Sequence, residues 1–211
     1  MIFFDLDGPI LDVSERYYKV YSDILSQNGF KTLSKSEYWN AKREKISEHD
    51  ILKRSLAGPL IEQYLHEWKL IIESDPYLMY DKLQNGAVEV LETLSNNNEL
   101  VLITLRTQPQ QLHKQLENFN LKKYFSAVLS SSEETIPRLE IKYSLIKNFL
   151  NIQKIQDCII IGDTETDITA GKYLGFKTIA VQNGIRSLRI LKEANPTLLI
   201  NSINEILEMD I

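Results

Sequence analysis

Short, nearly unbroken apolar runs recur along this chain, each bounded by polar or turn-forming residues: Ile2-Phe3-Phe4, Leu100-Val101-Leu102-Ile103, Ala127-Val128-Leu129, Cys158-Ile159-Ile160-Ile161 and the stretch Lys177–Val181. A strand with one solvated face alternates apolar and polar residues. A run that is apolar throughout reads as a strand covered on both faces, the usual condition of a parallel sheet. From Gly86 onward these runs alternate with helical periodicity, over Gly86–Leu94, Pro109–Phe119, Ile141–Leu150 and Thr166–Leu174, and a last strand and helix follow Pro196.

This βαβα alternation implies an α/β fold, a Rossmann-like parallel sheet with helices on both faces. One stretch departs from it. After Leu11-Asp12 the pattern stays helical for about seventy residues. Ser14 is a suitable N-cap for a helix through Tyr17, Tyr21 and Leu25, ended by Asn28-Gly29. Ser34 or Ser36 starts the next, and Ser47–Leu56 and Pro59–Ile72 follow, with Asp75-Pro76-Tyr77 as the terminator. The stretch reads as an inserted all-helical cap domain over 14–81, leaving 1–13 and 82–211 as the core domain.

Two acidic clusters directly follow strands. Asp5-Leu6-Asp7-Gly8 comes after Ile2-Phe3-Phe4, and Gly162-Asp163-Thr164-Glu165-Thr166-Asp167 comes after Cys158–Ile161. Strand ends line the edge of an open α/β sheet where ligands bind. If the two strands are neighbours, several carboxylates share one small volume, and either protons or a cation must relieve their repulsion. Oxygen-only ligands suit Mg²⁺.

Composition narrows the alternatives. Apolar residues make up 43% and charged residues 25%, values of an ordinary globular protein, and the net charge of −5 argues against nucleic acid as the main partner. No apolar run approaches a membrane span, and the first residues lack the pattern of a secretory signal, so a cytoplasmic location is expected. A single cysteine, Cys158, excludes an intramolecular disulfide, and its place in an apolar run reads as core packing. His49, His66 and His113 are scattered, which gives little support to a serine–histidine triad or a histidine-rich zinc centre.

Taken together, the motifs resemble those of the haloacid dehalogenase superfamily of phosphohydrolases. An apolar strand ending in Asp-x-Asp-Gly is present as Phe4-Asp5-Leu6-Asp7-Gly8, a strand ending in Thr as Leu102-Ile103-Thr104, and Gly-Asp-x-x-x-Asp after a strand as Gly162-Asp163…Asp167. A basic residue near the start of a later helix is similar to Lys142, with Arg138 one turn earlier as the other candidate. The helical insertion resembles the small cap of the phosphoglycolate phosphatase and β-phosphoglucomutase branch. One departure is Pro9, where the family commonly has Thr or Val; proline stiffens the turn into the cap.

The resemblance implies roles for these residues. Asp5 would be the nucleophile that forms an aspartyl-phosphate, and Asp7 the general acid and base. Thr104 would donate to a phosphate oxygen, and Lys142 would neutralise phosphate charge. Asp5, the Asp7 backbone carbonyl, Asp163 and Asp167 would hold Mg²⁺. Each residue also has a plainer reading: Asp5 and Asp7 as turn formers, Asp163 and Asp167 as helix caps, and Thr104 as a strand residue.

A second aspartate favours phosphoester chemistry over dehalogenation, because an alkoxide leaving group gains from protonation whereas a halide does not. The expected function is hydrolysis of a small phosphorylated metabolite, with no nucleic-acid or membrane partner. A phosphomutase on the same fold and a non-catalytic phosphate binder remain alternatives. Phosphonate cleavage would call for a cap lysine such as Lys42, Lys45 or Lys53. Substrate selection falls to the cap, with Tyr17, Tyr21, Trp39, Arg43, His49 and Arg54 as candidate contacts, although most of these aromatics read better as packing between cap helices. Arg106 stands near the mouth of the site or on a solvated face. The leaving group and the oligomeric state stay open.

Overall fold

The computed structural model describes residues 1–133, 135–153 and 157–209; residues 134, 154–156, 210 and 211 of the expected core range lie outside it. Its strands are Ile2–Phe4 (β1), Leu11–Asp12 (β2), Lys82–Leu83 (β3), Leu100–Ile103 (β4), Ala127–Leu129 (β5), Ile159–Gly162 (β6), Lys177–Val181 (β7) and Leu198–Ile200 (β8). Its helices are Ser14–Gln27 (α1), Lys35–Arg43 (α2), Glu48–Arg54 (α3), Ile61–Ile71 (α4), Asp75–Leu78 (α5), Ala87–Ser95 (α6), Pro109–Asn118 (α7), Arg138–Gln153 (α8), Glu165–Tyr173 (α9) and Leu188–Ala194 (α10). The chain divides into two compact units, Met1–Asp12 with Leu83–Ile211, and Val13–Lys82.

The first unit is an α/β fold built on a parallel sheet ordered β5-β4-β1-β6-β7-β8, and β2 pairs with β3 in a separate two-stranded ribbon. Each sheet strand of three or four residues coincides with an apolar run, and the inner strands β1, β4 and β6 are covered on both faces. Phe3, Val101, Ile103 and Ile160 pack with Ile146 of α8 on one side. Alternation sends Ile2, Phe4, Leu100, Leu102 and Ile161 to the other, where they too are buried. Cys158 lies in the first of these layers, as its apolar neighbours led us to expect.

Helix α9 lies close against the sheet at Gly171. A Cβ there would run into Ile160 Cγ2 and come within 2.7 Å of Thr178 Cγ2. Both are methyls of stiff β-branched side chains, so neither can swing aside.

The second unit holds its own core, centred on α1. The rings of Tyr21 and Tyr38 stack at 4.4 Å, and the Tyr21 hydroxyl pairs with Ser55 Oγ at 2.5 Å and accepts from Leu33 N at 2.9 Å. Tyr21 is fully buried. It is thus a packing residue, the reading expected above for most of these aromatics. Arg16 and Asp81, both buried, pair at 2.9 Å. Lys42 pairs with Glu48 and lies 5.7 Å and 5.6 Å from the ring centres of Tyr17 and Trp68.

Local chemistry explains where element boundaries differ from expectation. Val13 is the N-cap of α1, and Ser14 is its first helical residue. Ser34 caps α2 reciprocally with Glu37, and Ser47 Oγ accepts from Asp50 N at 3.1 Å to cap α3. Asp75-Pro76-Tyr77 forms the start of α5, because proline in a first turn lacks only a donor that has no intrahelical partner there. The ribbon strands β2 and β3 and helix α10 were not expected from the sequence. No helix among the described residues is long and apolar enough to cross a membrane.

Exchanging glycine for alanine inside a helix ordinarily gains about 1 kcal/mol. Gly171→Ala should instead destabilise the protein by about 1–3 kcal/mol, because the added methyl overpacks a closed contact. Urea unfolding midpoints of the two proteins measure the sign.

Candidate active site

Strand β1 is hydrogen-bonded on both sides and in register: Phe4 lies opposite Leu102 of β4 and Ile161 of β6. The residues that follow these strands therefore emerge at one edge. The chain runs outward from β1 to β4 and β5, then returns to β1's other side with β6, so this edge is the switch point of the sheet. Asp5 N donates to Ile161 O at 2.9 Å, and Thr104 N donates to Leu129 O at 3.0 Å. Short strands thus hold the first residues beyond their ends.

Asp5, Asp163 and Asp167 converge there. One carboxylate oxygen from each lies within 4.8 Å of the others, and all three residues are buried. Lys142 reaches in from α8, its Nζ 2.7 Å from Asp5 Oδ1 and also bonded to Asp167 Oδ1. Lys142 is 2% exposed, whereas Arg138, the other candidate, is exposed at the start of the helix. Asp167 Oδ2 accepts from Thr164 N at 3.0 Å and Thr164 Oγ1 at 2.7 Å. It is therefore both a helix-start partner and a member of the cluster. Asp163 Oδ2 accepts from Ile185 N. Gly8, at φ +115°, passes so close that a Cβ would overlap the Asp163 carboxylate.

Electrostatics make this cluster unusual. Among the described residues, one ammonium faces three buried carboxylates, so negative charge is in excess. Burial, opposed by Lys142 and reinforced by Asp167, pushes the Asp5 carboxyl up to about 7. Burial, with Asp5 and Asp167 adding to it, holds Asp163 well above the usual carboxylate range. Burial alone would lower Lys142, but Asp167 and Asp5 outweigh it and raise it. Asp163 Oδ1 is buried with no hydrogen-bond partner among the described residues. An unpaired buried oxygen in an anionic, oxygen-only cluster fits a divalent cation.

Asp7 takes a different direction. Its carboxylate accepts from Arg106 through Nε at 3.1 Å to Oδ1 and 3.0 Å to Oδ2, and through Nη2 at 2.6 Å to Oδ1. The Asp7 side chain is not part of the three-carboxylate cluster; the metal contact expected of Asp7 was its backbone carbonyl. Thr104 is buried, and its Oγ1 accepts from Arg106 N at 3.4 Å. Arg106 is 4% exposed, so a solvated face is ruled out. Gln84 was not foreseen: its Nε2 donates to Gly8 O at 2.9 Å and braces the turn that carries Asp7. No sequence motif marks Gln84.

The raised Asp5 carboxyl gives a pH dependence with a definite sign. The folded state binds this proton more tightly than the unfolded chain, whose value is near 3.8, so stability falls as pH rises through the range from about 4 to about 7. In the presence of EDTA, Asp5→Asn should be more stable than the parent at pH 8, by on the order of 1–4 kcal/mol, with the gain shrinking towards pH 4.5. Denaturant titrations across that range measure it.

The family model described as haloacid dehalogenase-like hydrolase matches residues 2–181. The chain is 24% identical over 220 residues to phosphoglycolate phosphatase 1 of Pseudomonas aeruginosa, covering 98% of this chain and 78% of that protein. It is also 24% identical over 221 residues to pyrophosphatase PpaX of Halalkalibacterium halodurans, covering 99% and 95%. A solved haloacid dehalogenase-like hydrolase from Streptococcus pneumoniae shares the fold at a TM-score of 0.80 and 20% identity, over 98% of this chain and 96% of that one. With a family match across most of its length and the parallel-sheet fold beneath it, the chain belongs to the haloacid dehalogenase-like hydrolase family.

Proposed function

We propose that this hydrolase is a Mg²⁺-dependent phosphatase that cleaves a small phosphomonoester through an aspartyl-phosphate on Asp5. The observation that carries this reading is the buried cluster of Asp5, Asp163 and Asp167 around Lys142 at the switch point of the sheet. A carboxylate aimed at a dianionic phosphate is repelled by it, and the chain supplies a lysine and a cation-fitting oxygen set at that place. Asp5, the Asp7 carbonyl, Asp163 and Asp167 would hold Mg²⁺, which supplies charge neutralisation between the attacking carboxylate and the phosphate oxygens.

In the first half-reaction an Asp5 oxygen attacks phosphorus in line with the leaving group. The bond from phosphorus to the ester oxygen breaks, its electron pair stays on that oxygen, and Asp7 supplies the proton that makes it an alcohol. In the second, a water attacks the same phosphorus, Asp7 accepts the water's proton, and the bond to Asp5 breaks to release phosphate. Lys142 and the Thr104 hydroxyl donate to phosphate oxygens, and Lys142 keeps Asp5 charged for attack. The helical unit, which we assign to residues 14–81 as a cap, is the natural source of substrate selectivity, since it contributes none of these groups.

The named relatives support the substrate class. One is called a phosphoglycolate phosphatase, a monoester's name, and the other a pyrophosphatase, an anhydride's name, and what the two share is a small phosphorylated substrate.

Phosphate release from a panel of phosphomonoesters tests the reading. Release should require Mg²⁺, stop with EDTA, and fall by at least about 10³-fold in Asp5→Asn, which removes the nucleophile. Undiminished release in that variant would refute the covalent route.

A further inference from the structure

The guanidinium of Arg106 grips the one carboxylate of the site that the acidic cluster leaves out. Three contacts of 2.6–3.1 Å involve both oxygens of Asp7. The two residues come from the loops after adjacent strands. Strand β4 lies in register with β1 at an offset of 98 residues, and Arg106 stands 99 residues beyond Asp7. Neither side chain reaches across the molecule to meet the other; the sheet delivers both. Arg106 is itself held, buried and with its backbone N on Thr104 Oγ1. A fork that meets a carboxylate through both oxygens fixes its plane as well as its place, which a single lysine ammonium does not do.

We propose that Arg106 is the positioning residue for Asp7 and that it acts mainly in the second half-reaction, where Asp7 serves as proton acceptor for the attacking water. This rests on the hydrolytic reading above. A carboxylate that accepts from a guanidinium through both oxygens is arranged as an acceptor. The water's proton goes to Asp7, the hydroxide electron pair goes to phosphorus, and the phosphorus–Asp5 bond breaks. Arg106 contacts Asp7 itself and acts through it.

The signature is kinetic. With p-nitrophenyl phosphate the leaving group needs no proton, so the first half-reaction does not depend on the orientation of Asp7. Arg106→Ala should lower kcat by about tenfold or more and lower KM in step, leaving kcat/KM within about twofold. Rapid mixing should show a burst of p-nitrophenolate close to one per active site. In an Asp7→Asn background the same change should cost less than about twofold further, because its effect passes through Asp7. Arg106→Lys should restore part of the lost kcat. Calorimetric affinity for inorganic phosphate with Mg²⁺ should stay within about threefold of the parent, which also shows that the variant is folded.

Three results would overturn the assignment: equal losses in kcat and kcat/KM, an additive double-mutant cycle, or a phosphate affinity weakened more than about tenfold. The last would make Arg106 a phosphate ligand. If Asp5→Asn turns over like the parent, or the parent releases phosphate from no ester, the hydrolytic reading falls and takes this assignment with it. If Asp5→Asn is inactive but the cycle is additive, this assignment falls alone.

Discussion

The site is organised by a charge imbalance out of reach of bulk water. Three carboxyl groups and one ammonium share the end of β1, and the fold holds there more acids than the one ammonium can balance. Neutralising that excess with hydrophobic replacements would stabilise a protein that had no use for it. Here the surrounding structure is shaped to keep it. Gly8 at positive φ lies where a Cβ would overlap the Asp163 carboxylate, Ile185 N donates to one of that carboxylate's oxygens, and the Lys142 side chain is buried off α8 to meet two of the acids.

Precision in this arrangement comes from the sheet. Asp5 follows a strand flanked on both sides, so its backbone has little freedom, and its neighbours Thr104 and Asp163 start from strands in the same register. Asp167 ties the cluster to a helix as well. One of its oxygens meets Lys142 and the other meets the backbone and hydroxyl of Thr164, so the start of α9 and the site share a single side chain. Asparagine there would keep one contact at the expense of the other.

What could be read from residues alone follows the same physics. Strands covered on both faces leave uninterrupted apolar runs, and so the parallel sheet was legible, as was the convergence of Asp5, Asp163 and Asp167 behind two of those runs. Lys142 was separable from Arg138 only by the apolar face that continues at Leu145 and Ile146. Lys142 is buried against two of the acids, and Arg138 is exposed. Arg106 was ambiguous, because nothing local distinguishes a guanidinium buried against a carboxylate from one in water. The offset between β1 and β4, a property of the folded sheet, brings it to Asp7. Tyr21 admitted two readings for a related reason: an aromatic with a hydroxyl suits a ligand or a core, and Ser55 and Leu33, which satisfy that hydroxyl, are distant in sequence. Short elements such as β2, β3 and α5 carry too few residues for periodicity to register.

The central place of β1 also bears on how the protein is made. Ile2 pairs with Leu100 and Ile159, partners 98 and 157 positions later in the chain. At translation rates of about 5–20 residues per second, β1 waits roughly 10–30 s before its last neighbour exists. Until β4 is made, an apolar strand with two open edges has no place to pair, and until β6 is made one edge stays open, while the helical unit is local in its contacts. The residue proposed to do the chemistry is thus made well before the strands that fix it in place, so the site is completed by non-local pairing, the slow kind.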